Sequence, residues 1–189
     1  MTIILLLAIS FAASFVGTLA GSGGLIGMPS LLLIGLPIHQ IIGSVKFSNM
    51  ISSFSSFYIL FKKQLKLKDA LQLIPFALFG GLCGGLLANS FSEKAMILLA
   101  ICLLTVALIM NFIKKPQPSD ESDWHLPKKV YPSLFGISVH DGMFGPGLAT
   151  MLMYTFLRNG ATYPQSLAFT RFQTFIGCTA TFITYFHGR

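Results

Sequence analysis

His140-Asp141-Gly142-Met143-Phe144-Gly145-Pro146-Gly147 stands in the middle of an apolar run that extends from about residue 130 to 157. Glycine and proline both destabilise a helix interior, so this run is expected to be a discontinuous helix or a re-entrant element. Backbone freed inside a bilayer has to be buried in protein or face a polar cavity. A second stretch of the same kind, Ala20-Gly21-Ser22-Gly23-Gly24-Leu25-Ile26-Gly27-Met28-Pro29, interrupts the apolar run from residue 2 to about 36. Paired interruptions in corresponding halves of a membrane chain point to a transporter binding site.

The rest of the chain supplies the bilayer. Of 189 residues, 53% are hydrophobic and only 10% charged, with a mean hydropathy of +0.73. So little charge cannot cover a soluble domain, and the length accommodates about six passes of roughly 20 residues each. Further apolar runs cover 38–61, 70–89, 95–113 and 164–186. The net charge of +7 is concentrated in short connections, in Lys62, Lys63, Lys66 and Lys68 and in Lys114, Lys115, Lys128 and Lys129. That pattern marks cytoplasmic loops. The aromatic residues lie within the apolar runs rather than among the bases, which argues against nucleic acid as a partner. Residues 2–20 lack the basic start of a signal peptide and are expected to stay in the mature chain. Cys83, Cys102 and Cys178 are odd in number, apolar in setting and without metal-type spacing.

The polar, proline-containing segment 114–129 divides the chain into a first transmembrane repeat, 1–113, and a second, incomplete repeat, 130–189. With 62–68 and 114–129 cytoplasmic, the turn near 89–94 and the loop at 158–164 are both expected outside. In each half a short helix and a turn follow the interruption, and then comes a helix with a cation near its start: Lys46 in one, Arg171 in the other. Asn49, Ser53 and Ser56 follow Lys46 at steps of 3, 7 and 10, and Thr174, Cys178 and Thr181 follow Arg171 at the same steps. Such steps keep to one helical face.

Of the 19 acidic and basic residues, only Lys46, Arg171 and Asp141 lie well inside apolar runs. Intramembrane charge is costly and marks a functional site by default. Snorkelling to the interface is the plainer reading for the two cations, and helix capping is the plainer one for Asp141. Glycine-rich helix starts expose backbone N–H groups to oxyanions, so Gly23, Gly24, Gly145 and Gly147 together with Lys46 and Arg171 are expected to form an electropositive pocket near the midplane. Asn49, Gln173 and Thr174 add hydrogen bonds, and Asp141 and His140 fix the break or join a coupling path. No metal or cofactor is expected. Neither G-x-S-x-G, H-E-x-x-H nor a P-loop occurs, which leaves an intramembrane hydrolase using His140 and Asp141 as a minor alternative to transport. An anion channel or non-transporting assembly subunit, with the cations lining a pore or paired to Asp141, is the main one.

The residues also resemble a known family. Gly21 to Pro29 is similar to the first-half glycine signature of the TauE/SafE sulfite-exporter family of membrane permeases. His140 to Gly147 resembles the "Y-D-G-F-F-G-P-G" signature of its YfcA-like branch, and Gly43-Ser44-Val45-Lys46-Phe47-Ser48-Asn49 its "G-T-N-K-L-x-N" segment. His140 stands where the branch usually has Tyr, and Arg171-Phe172-Gln173-Thr174 replaces K-x-x-N. The resemblance implies an all-α polytopic bundle of two four-helix repeats in a prokaryotic plasma membrane. It further implies transport of a small sulfur-containing oxyanion, organosulfonate or carboxylate; the paired broken helices make alternating access the expected mechanism. The family continues for two helices beyond residue 189, so a homo-oligomer is one way to complete the second repeat.

Overall fold

The computed structural model describes residues 7–12, 15, 23–64, 67–112, 116–118 and 124–187. Among them every regular element is helical: α1 Gly23–Leu33, α2 Ile38–Gln64, α3 Leu67–Ser90, α4 Glu93–Phe112, α5 Tyr131–Met143, α6 Leu148–Arg158 and α7 Tyr163–His187, with a 3-10 turn at Lys128–Val130. Residues 7–12 are helical as well. At 1.5 Å per residue, α2, α3, α4 and α7 are each about 30–40 Å long, enough to cross a hydrocarbon core of about 30 Å. By contrast α5 and α6 are each about 20 Å or less and cannot cross it singly.

Local chemistry sets the boundaries. Pro37 accepts the N–H groups of Gln40 and Ile41 at 3.1 Å and starts α2. Ser92 Oγ accepts the Ala95 N–H at 3.4 Å as the cap of α4. At α7 the Thr162 hydroxyl accepts the Gln165 N–H at 3.3 Å while the Gln165 side chain accepts the Thr162 N–H at 3.1 Å. This is a reciprocal capping box. Between α5 and α6 the chain reverses through Phe144–Gly147, where Gly145 and Gly147 have φ of +105° and +88°. Residues with a Cβ rarely adopt these angles.

Contacts fix the helix directions. Phe47, Phe54 and Phe57 of α2 meet Phe182, Phe175 and Phe172 of α7, with ring centroids 5.3, 5.4 and 4.9 Å apart. One helix climbs seven and then three residues as the other descends by the same steps, so α2 and α7 are antiparallel. Helix α3 runs parallel to both α5 and α7. Gly80 abuts Ser138 and Gly84 abuts Gly142, while Gly81 abuts Gly177 and Gly85 abuts Thr184. Gly80-Gly81-Leu82-Cys83-Gly84-Gly85 thus presents two glycine pairs at i, i+4, one to each neighbour. This is the close-approach device of membrane helices.

Trp124, just before α5, donates from Nε1 to the carbonyl of Asn159, just after α6, at 2.7 Å. One core cluster joins Trp124, Val130 and Leu134 to Leu152, Phe156 and Phe169. The start of α5 and the end of α6 therefore share one face, and the interrupted run is a re-entrant hairpin. The loop at 158–164 accordingly lies on the linker face, not opposite to it as its place in the sequence led us to expect. A continuous pass was implicit in that layout, and the reversal at Gly145 removes it. A second cluster at the far end gathers Met28, Ile41, Ala88, Met96, Phe144 and Tyr185 around the hairpin tip.

Candidate functional site

Polar and charged side chains are buried in the bundle while large apolar ones are exposed on it. Lys46, Ser138, Asp141, Gln173 and Thr181 are each 2% exposed or less, whereas Ile59 and Leu98 are 70% and 66% exposed. A water-soluble fold has the opposite distribution. Among the described residues one helix, Lys68–Ser90, is long and apolar enough to cross a membrane by itself. Helix α7 is diluted by Ser and Thr residues that it turns largely inward, and α2 by serines of which Ser53 is buried and Ser44, Ser48, Ser52 and Ser55 are exposed.

Lys46 lies eight residues into α2, and its ammonium reaches the tip of the hairpin. There it donates to the backbone carbonyl and to the carboxylate Oδ1 of Asp141, forming a buried ion pair. A Cβ built on Gly145 would lie 3.0 Å from the Lys46 nitrogen, so glycine there also makes room for the cation. The second carboxylate oxygen of Asp141 faces Gly177, whose Cβ would stand 3.3 Å away, and the Cys178 thiol at 3.9 Å. Both ring nitrogens of His140 are buried and have no hydrogen-bond partner among the described residues. The bonds of the Asp141 carboxylate among the described residues run to Lys46 and Cys178, and the N-cap of α6 is Gly147.

Arg171 is placed elsewhere. The phenylalanine ladder sets Lys46 level with residue 183 of α7, twelve residues beyond Arg171. That corresponds to about 18 Å along the axis. The structure therefore does not bring the two cations together at one point, as the matching sequence positions suggested. Arg171 is partly buried, and among the described residues no carboxylate pairs with it. Gln173 donates to the Leu134 carbonyl at 3.2 Å and to Ser138 Oγ at 2.9 Å, tying α7 to α5. The Thr174 hydroxyl returns to the Thr170 carbonyl at 2.8 Å, and Asn49 is exposed on α2. Gly147 is buried against Ala107 of α4. Gly23 and Gly24 open α1; Gly21 and Ser22, before them, lie outside the described residues.

The glycine doublets of α3 and the residues Ser138 and Gly177 form the frame of this site and escaped the sequence reading. The signal was there, in four glycines at small-xxx-small spacing. Glycines of this spacing carry no charge and sit in an uninterrupted apolar run, so they do not stand out from it.

Residues 6–189 match the family described as Sulfite exporter TauE/SafE. The chain is 29% identical to a probable membrane transporter protein of Haemophilus influenzae, covering 97% of this chain and 74% of that protein. It is also 29% identical to the probable membrane transporter protein ORF9 of a Sinorhizobium species, over 88% of this chain and 65% of that one. Against the probable membrane transporter protein YfcA of Escherichia coli it is 22% identical, over 79% of this chain and 56% of that protein. The chain thus spans between about half and three quarters of the length of these relatives. No solved structure matches it. An all-helical chain with buried charges, an apolar exterior and a match over nearly its whole length belongs to the sulfite exporter TauE/SafE family of membrane transporters.

Proposed function

We propose that this chain forms the greater part of a multi-pass permease of the prokaryotic plasma membrane, moving a small anion by alternating access. The substrate class is a sulfur oxyanion, an organosulfonate or a small carboxylate. The observation that carries the reading is the re-entrant hairpin whose glycine tip meets a wholly buried lysine. Interior cations and glycine-rich backbone suit an anion better than a cation or an apolar solute. Arg171, without a carboxylate partner among the described residues, receives the anion on the linker side. Lys46 receives it at the hairpin tip, and backbone N–H groups at Gly23, Gly24, Gly145 and Gly147 complete the two stations. Thr174 lines the way; Gln173 holds α5 in place. Basic residues beside the linker put its face in the cytoplasm.

A thermal-shift screen of the purified protein against sulfite, thiosulfate, methanesulfonate and acetate tests this reading. At least one anion is expected to stabilise the wild type, and Arg171→Gln to weaken that anion's half-effect concentration tenfold or more. Indifference of the wild type to all four would sink the proposal. The pairing of Lys46 with Asp141 favours a second reading, an anion channel whose interior charge is already balanced. Uptake into proteoliposomes that saturates with anion concentration supports the permease, whereas a flux that never saturates supports the channel.

A further inference from the structure

We infer that Asp141 is the resident counter-anion of Lys46, and that a transported anion reaches Lys46 only as Asp141 takes up a proton. The inference rests on the permease reading above and adds its coupling ion.

Lys46 is fully buried, and Asp141 engages its ammonium through both the carboxylate and the backbone carbonyl. A second anion at that ammonium displaces the carboxylate. The displaced group would then be a buried negative charge beside another negative charge, with one cation between them. Its surroundings offer little compensation. From α7 it faces Gly177 and the Cys178 thiol, a weak donor at 3.9 Å. Helices α3 and α4 meet the hairpin with Gly81, Gly84 and Ala107, none of which carries charge or titrates. His140, the adjacent residue on α5, also titrates, and its two ring nitrogens are buried without partners among the described residues; Tyr185 of α7 packs in the cluster around Phe144. An unpaired carboxylate in such a place is far costlier than a neutral carboxylic acid. The exchange therefore balances as a monoanion and a proton entering together: the Lys46 ammonium changes partner from carboxylate to substrate, the proton goes to the Asp141 carboxylate, and the net charge of the site is unchanged. His140 is the group placed to pass that proton. Transport of a monoanion is then electroneutral, with one proton per anion.

Methanesulfonate is a suitable probe because it stays a monoanion from pH 5 to 9. In weakly buffered detergent solution, its binding to the full chain is expected to take up about one proton per anion, read with an indicator dye. The wild-type Kd is expected to weaken about tenfold per pH unit in the range where Asp141 is ionised in the free protein, as one linked proton requires. Asp141→Asn is expected to bind the probe with no proton uptake and no pH slope. Wild-type binding without proton uptake and with a flat pH profile overturns the coupling and leaves the anion site standing. No binding at any pH, in wild type and Asp141→Asn alike, overturns the site for this anion class and the coupling with it. The slope is measured on wild type, so the test holds even if the variant does not fold.

Discussion

Lys46 and Asp141 are 95 positions apart and are joined by two buried bonds, one of them an ion pair. Removing one member of such a pair leaves an uncompensated charge, at a cost of about 3–5 kcal/mol. Lys46→Met is therefore expected to lower the unfolding midpoint strongly. The double variant Lys46→Met with Asp141→Leu should recover a large part of the loss, because it buries no charge at all. Equal destabilisation by the single and double variants would show that the pair does not exist in solution. A search for charge inside apolar runs is enough to find both residues in the sequence. Their partnership is not legible there, since a carboxylate before a glycine turn suits a helix cap equally well. Only the fold decides, by bringing Asp141, near the end of α5, to the Lys46 ammonium of α2. Arg171 illustrates the reverse case: its match to Lys46 is plain in the sequence, but the antiparallel register holds the two apart.

At the scale of elements, α3 organises the bundle through its two glycine faces. A Cβ on Gly81 would stand 2.7 Å from the Gly177 carbonyl oxygen, and one on Gly84 would stand 2.8 Å from the Gly142 Cα. These are backbone neighbours and cannot step aside as a flexible side chain can. Gly81→Val and Gly84→Val are each expected to cost at least about 1–3 kcal/mol, the range for overpacking, and to shift thermal unfolding accordingly. Cys83→Val, between them but exposed, should change stability by no more than about 0.5 kcal/mol. If Cys83→Val proved as damaging as its neighbours, the packing described for α3 would be wrong. The four long helices follow the apolar runs of the sequence closely, because length and hydropathy suffice to define them. The hairpin needed more. Gly145 and Pro146 announce a break, yet whether the chain continues or doubles back depends on Trp124 finding Asn159.

For the whole molecule, that reversal changes which surfaces share a compartment. Tyr163 lies with Pro118 on the linker face, and Glu93 lies at the other end of the bundle. In a background with the three native cysteines replaced, a membrane-impermeant thiol reagent added to intact cells is expected to label Glu93→Cys and to spare Pro118→Cys and Tyr163→Cys. Labelling of Tyr163→Cys from outside would restore a single continuous pass through 130–157. The phenylalanine ladder carries the matter one step further. If Lys46 and Arg171 mark equivalent steps of two copies, the antiparallel helices that bear them exchange places by a half-turn about an axis lying across the bundle. That axis passes where Ser52 meets the level of Gly177, six residues beyond each cation. Each side of the bilayer is then offered the same device seen from opposite ends. Under the permease proposal, the inward-open and outward-open forms would then be one shape with its halves' roles interchanged.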